Sequence, residues 1–353
     1  MLMLIVHIIC TIVFYLFIQK NGGDANTYWY VSDLFTTDKS LSELLLGSGL
    51  IKLFNYPFAI VLGLPQYVGF AIYSSIGFVG ICLLYKLFIL ACPDGFYAFG
   101  INIIQLFFLL PNLHFWTSGI TKEALVFTCM AYLFLFFFKK RYSWLFAISW
   151  ILLGAIRPHL ALLLLVGFGV AVLLDSSLSR KHKSYYILAI TGLCAILLAF
   201  VLRILKFNPL NIGRWMITNS YSRQSFMGST TYIDMENTNM LFQLYSFHLA
   251  PLFHDIVHPY IWIISMENMM MSFIFLLMVL RLVGNYKNLK FSFLTTWILS
   301  FFVVGTIAFM LRYSGLGIFL RTRMLLLPFL VLALLMMLDA GKDARKDRFV
   351  KIS

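Results

Sequence analysis

Charge is scarce in this 353-residue chain: Asp, Glu, Lys and Arg make up 12% of it, roughly half the share in a soluble domain, while 61% is hydrophobic. A chain of this length suffices for two soluble domains, but so few charges cannot cover the surface of either. The shortage excludes a water-soluble fold and leaves lipid as the solvent for most of the chain. Acids are scarcest, 14 against 27 Lys and Arg, for a net charge of +13. That excess does not point to nucleic acid, because the bases sit in short runs between apolar stretches: Lys139-Lys140-Arg141, Arg180-Lys181-His182-Lys183, Lys287 to Lys290 and Lys342 to Lys351. Cytoplasmic loops of membrane proteins have that distribution. The five cysteines, Cys10, Cys82, Cys92, Cys129 and Cys194, show no CxxC or Cys/His spacing and read as packing residues rather than disulfide or metal partners. The run from Met1 to Ile18 lacks a small-residue cleavage site before Gln19, so it reads as a retained first span.

A helix needs about 17–25 apolar residues to cross a bilayer. Against that length the chain reads as an all-α, polytopic transmembrane helical bundle of about ten spans, near 1–18, 65–84, 96–110, 123–138, 144–156, 159–175, 185–204, 266–283, 291–311 and 324–338. Pro158 separates the fifth from the sixth, making that pair a tight helical hairpin or a broken helix. Ten spans put both termini on one side. With that side cytoplasmic, the inner segments hold 15 of the 27 bases and 5 of the 14 acids, so the two sides carry +10 and +3. The chain then forms a single integral membrane domain, 1–353, with long outer loops at about 19–64 and 205–265 and a cytoplasmic tail from about 339 to 353. The first loop carries an amphipathic stretch, Leu41 to Phe54, suited to lying in the interface or packing on the bundle.

Five polar clusters fall on the outer side. Gly22-Gly23-Asp24-Ala25-Asn26-Thr27-Tyr28-Trp29-Tyr30, followed by Asp33, combines glycines that let backbone approach a ligand with a carboxylate and aromatics. Its bland alternative is a helix cap beside an interfacial aromatic belt. Pro111 to Glu123 brings His114, Trp116, Lys122 and Glu123 to the point where an apolar helix begins; Glu123 is either part of a cap or an ionisable group at functional depth. Arg157-Pro158-His159 interrupts two apolar runs, and its arginine needs an anionic partner or water. Arg312-Tyr313 and Arg321-Thr322-Arg323 run against the positive-inside trend, and guanidinium forks match phosphate oxygens. The last cluster is Arg214, Arg223, Tyr232, Asp234, Glu236, His248, His254, Asp255, His258 and Glu267-Asn268. Within it His254 and His258 have the spacing of a helical metal pair, but no third ligand stands at a convincing distance.

Acids, arginines and aromatics on one face of a lipid-embedded chain suit a substrate with an anionic phosphate, an apolar tail and a sugar head, as in lipid-linked saccharides. The stretch Gly23-Asp24-x-x-x-Tyr28 after the first span resembles the C-type multi-span glycosyltransferases and the polysaccharide polymerases of the Wzy and EpsG kind. Pro111-x-x-x-Phe115-Trp116-x-x-Gly119-x-x-Lys122-Glu123, Arg157-Pro158-His159 and Arg321-x-Arg323 are similar to elements of the same bacterial cell-surface polysaccharide proteins.

The resemblance implies glycosyl transfer or polymerisation from a polyprenyl-phosphate or -pyrophosphate sugar at the outer face of a bacterial inner membrane. The implied partners are the lipid bilayer, the polyprenyl-phosphate-linked saccharide and other polysaccharide-assembly proteins. It assigns Asp24, Glu123 and His114 to catalysis. Lys122, Arg157, His159, Arg312, Arg321, Arg323, Trp116 and Tyr28 would bind substrate. No cofactor is expected, and the absence of a DxD pair after Asp24 argues against a divalent metal. Two other classes compete. A lipid-sugar flippase would favour inverted repeats and polar residues deep in several helices; no repeat is evident. A membrane O-acyltransferase would use His114 and Arg321-x-Arg323 with an acyl donor.

Overall fold

The computed structural model describes residues 1–31, 44–204, 231–253 and 260–350, without the side chains of 203–204, 260 and 340–350. The protein is all-α; among the described residues the one sheet is a two-stranded hairpin. Among the described residues five helices are long and apolar enough to cross a bilayer: α1 (Leu2–Asn21), α4 (Gln66–Ala91), α10 (Arg180–Ile204), α12 (Tyr260–Gly284) and α13 (Phe293–Arg312). Two bent pairs bring the number to at most seven: α6 (Pro111–Thr117) with α7 (Lys122–Phe138), at 111°, and α14 (Leu316–Arg323) with α15 (Leu327–Val350), at 42°.

Ten spans are therefore not what forms. The expected span at 96–110 is instead a hairpin, β1 (Tyr97–Ala98) against β2 (Ile101–Asn102), running into the short α5 (Ile103–Phe107). Phe99 and Gly100 make its two-residue turn with φ of 53° and 78°, the left-handed pair that right-twisted strands require. The other two shortfalls are α8 (Trp144–Ile156) and α9 (Pro158–Leu174), apolar but shorter helices. Thirteen residues at about 1.5 Å each fall short of an apolar slab about 30 Å thick. Pro158 separates them: it has no N–H to continue α8 and it pushes Arg157 to φ −140°, ψ 76°, out of the helical region.

The chain divides into two compact units, residues 1–90 with 104–161 and residues 91–103 with 162–353. In the first, α1 ends at Gly22-Gly23, whose φ of 72° and 137° let the chain turn at once into α2 (Asp24–Trp29). Of the amphipathic stretch of the first loop, residues 41–43 lie outside the described residues, and its later part forms α3 (Ser48–Tyr56), which buries Ile51, Lys52 and Asn55. Helices approach closely where side chains are smallest. A Cβ on Gly77 would collide with the carbonyl of Thr117, one on Gly69 with the Trp29 indole, and one on Gly119 with the Phe14 ring. Phe14 in turn stacks on Phe115, with ring centroids 4.4 Å apart, and so seats α6 on α1.

In the second unit, the Trp297 indole donates to the Leu164 carbonyl (2.8 Å), and Gly167 sits directly against the Phe301 backbone. Residues 231–233 pair with 314–316 through Ile233 N–H to Ser314 O and Leu316 N–H to Thr231 O, both 2.9 Å. The long segment before α12 carries α11 (Met240–His248), and α12 begins at Tyr260 rather than near 266. No part of the apolar stretch of α10 is buried among the described residues. Helix α15 continues past Leu338 to Val350.

Candidate functional site

Helix α7 starts at Lys122, so Glu123 lies in its first turn, where the free amides of a helix favour a carboxylate. Arg157 caps α8 and turns its guanidinium onto Glu123, with Nη2 donating to Oε1. Glu123 is wholly buried and Arg157 nearly so. An arginine inside a lipid-embedded chain cannot shed its proton and must find an anion. The pair joins the two helix ends that flank the breaks before α7 and after α8.

Lys122, the next residue back, is half-buried, with its ammonium 5.9 Å from the centroid of the Tyr28 ring. Tyr28 is buried on α2, and its carbonyl accepts a hydrogen bond from Asn55 Nδ2 (3.0 Å). Gln19 Nε2 donates to Gln66 Oε1 (2.7 Å) and Gln66 Nε2 to Asn26 Oδ1 (2.8 Å), which ties the end of α1 and the start of α4 to α2. The Gly47 amide donates to the Ala155 carbonyl (2.8 Å), holding the segment before α3 on the last turn of α8. Asp24 is exposed in the first turn of α2.

The first unit thus brings Tyr28 to Lys122 and Glu123 to Arg157, with Lys122 and Glu123 adjacent. Trp116 is half-buried against Phe14 and Phe115, and His159 is half-buried just beyond Pro158. His114 faces α1 instead. Its Nδ1 lies 3.1 Å from Nδ1 of His7 and its Nε2 2.8 Å from the Phe108 carbonyl. His7, Asn55 and Gln66 escaped the motif reading; the signal for His7 was an ionisable residue inside an apolar span.

In the second unit Arg323 is buried and braces the backbone. Its Nη1 donates to the carbonyls of His248 (3.0 Å) and Ala250 (2.7 Å), and its Nη2 to Asn268 Oδ1 (2.5 Å). Arg312 and Arg321 are half-buried. His248 shares a hydrogen bond of 3.1 Å with the Thr306 hydroxyl and stacks on Phe302. Burial and the nearby Arg323 cation push its pKa down to about 3, so its ring is neutral at pH 7. Asp234 accepts bonds from the Glu236 and Asn237 amides and the Asn237 side chain, and so orders the turn before α11. Among the described residues no three of His, Cys, Asp and Glu gather as a metal site; Asp33, Arg214, Arg223, His254, Asp255 and His258 lie outside them.

An exposed carboxylate, a half-buried ammonium over an aromatic ring and a buried ion pair together can bind an anionic headgroup beside a polar ring. No protein-family model matches the chain, and no curated protein or solved structure matches it.

Proposed function

We propose that this protein is a membrane glycosyltransferase that transfers or polymerises sugars from a polyprenyl-phosphate or -pyrophosphate donor at the outer face of the bacterial inner membrane. The observation that supports it most directly is the group at the start of α7: Lys122 against Tyr28, anchored by the buried Glu123–Arg157 pair. Helix α7 carries this group at one end and Lys139-Lys140-Arg141 at the other. The positive-inside rule then favours the basic end in the cytoplasm and the Glu123 end outside.

In this reading Lys122 meets the phosphate, and Tyr28 and Trp116 offer ring faces to the sugar. The acceptor hydroxyl attacks the anomeric carbon while its proton passes to Asp24. The bond from that carbon to the phosphate oxygen breaks, and the oxygen keeps the electron pair as Lys122 balances its charge. Arg157, whose guanidinium is engaged with Glu123, positions the end of α7 rather than gripping phosphate itself.

The test supplies purified protein in liposomes with an isotope-labelled polyprenyl-pyrophosphate oligosaccharide. Chain extension is expected, and it should be lost in Asp24→Asn and Lys122→Met. Translocation of the lipid-sugar without extension would make the protein a flippase, and extension undiminished in both variants would remove the site.

A further inference from the structure

The centre of the first unit holds two histidines that the proposed transfer does not use. His7 is 1% and His114 0% exposed, and their Nδ1 atoms lie 3.1 Å apart. His7 Nε2 is 3.0 Å from the Ser74 carbonyl, and His114 Nε2 is 2.8 Å from that of Phe108. A carbonyl oxygen only accepts, so each Nε2 must carry a hydrogen. The contact between the two Nδ1 atoms also needs one. Three hydrogen bonds therefore require three protons, and two neutral imidazoles bring two. Turning either ring over exchanges both of its nitrogens for carbons, which loses two contacts to relieve one.

We infer that His7 and His114 form a buried proton-binding site that takes up one additional proton as a pair, held between the two Nδ1 atoms. The charge spreads over both rings, and both outer N–H groups donate to carbonyls, which makes those bonds charge-assisted. Neither α1 before Lys20, nor α6, nor residues 103–110 contain Asp, Glu, Lys or Arg, and the only charged residue of α4, Lys86, lies twelve positions past Ser74. Titratable side chains on these helices include Cys10, whose thiol points to the Pro111 carbonyl, and Tyr85, whose ring packs on Phe108. Thr11 bridges the His7 carbonyl and the Ser74 hydroxyl, and Phe78 packs on the His7 ring. Without the extra proton one of the three bonds that tie α6 to α1, α1 to α4 and His114 to Phe108 is given up. Protonation therefore fastens α6, the short helix that leads into Lys122 and Glu123.

The sign of the pH dependence decides the matter. A folded pair holding one shared proton competes with two unfolded histidines, which bind two protons well below about pH 6.5 and none well above it. Its stabilisation is therefore greatest near that pH; it is lost as pH rises above it and reduced as pH falls below it. The experiment compares unfolding in detergent from pH 5 to 9 for wild type and for His7→Gln with His114→Gln, so that every other titrating group cancels. Relative to the variant, the wild-type unfolding constant should rise up to tenfold per pH unit above about pH 6.5. A difference that grows only as pH falls below that value, or none at all, overturns the proposal. Nitrogen-15 NMR of histidine-labelled wild type reads the same site without a variant. One strongly deshielded proton coupled to both Nδ1 atoms is expected near pH 6, and two separate neutral rings would overturn it.

Discussion

Arg323 and Asn268 grip one chain segment together: the arginine binds the carbonyls of His248 and Ala250, the amide donates to that of Pro251 (2.8 Å), and the two bind each other. The segment leaving α11 is thereby fixed to α12 and α14. Lysine in place of Arg323 cannot reach two carbonyls and an amide at once. Arg323→Lys is expected to destabilise by about 1.5–3 kcal/mol, the range for hydrogen bonds to charged groups. Thermal unfolding in detergent checks the magnitude, and faster amide exchange at residues 248–250 checks the place.

The Glu123–Arg157 pair predicts an asymmetry. Glu123→Gln leaves a buried guanidinium without its counter-charge and should cost about 3–5 kcal/mol. Replacing both residues by leucine removes both charges and should recover most of that loss. A double variant as unstable as the single one would contradict the pairing.

Close helix approach makes a third prediction. Gly77→Ala drives a methyl into the Thr117 carbonyl, a backbone atom that cannot swing aside, and should cost about 1–3 kcal/mol. Gly192→Ala on α10, where nothing lies within 4 Å of the new carbon, should leave the unfolding midpoint unchanged or raise it slightly.

Asp234 gives a dependence on acid. Its carboxyl is held below the ordinary carboxylate range by the Asn237 side chain and by the Asn237 and Glu236 amides. Its contribution is present above the unfolded value of about 3.9 and is lost as pH falls through the lowered folded value. Limited proteolysis around residues 231–240 should accelerate in that acid range, and Asp234→Asn should flatten the response.

Asp24 is exposed, so Asp24→Asn should leave expression and unfolding unchanged. If Asp24 is the base, the variant lowers glycosyl-transfer turnover by about 10²–10⁴-fold. Unchanged turnover would remove it from the reaction.

Much of the architecture is legible in residue order because lipid punishes exceptions. The apolar runs at 1–18, 65–84 and 291–311 lie within or largely overlap α1, α4 and α13, and Pro158 marks the interruption it causes. The run at 96–110 misleads because hydropathy counts residues and ignores dihedral angles; Phe99-Gly100 turns the chain before a helix can form. The candidate site is legible one element at a time. Lys122-Glu123 and Arg157 stand out as charges at helix ends, but that Glu123 faces Arg157 depends on how α7 packs on α8, a tertiary fact. Asn55 and Gln66 give no signal at all, since a polar residue next to a loop looks like any other until its partner is known.

Helix α10 has a different consequence. With none of its apolar stretch fully buried among the described residues, it answers to hydrocarbon more than to neighbouring side chains. Shape has little hold on such a helix, and oiliness nearly all of it. Shuffling its residues from Ile187 to Leu202 while keeping their composition should produce a protein that folds as before. Over evolutionary time it is free to drift, spelled almost any way that lipid accepts.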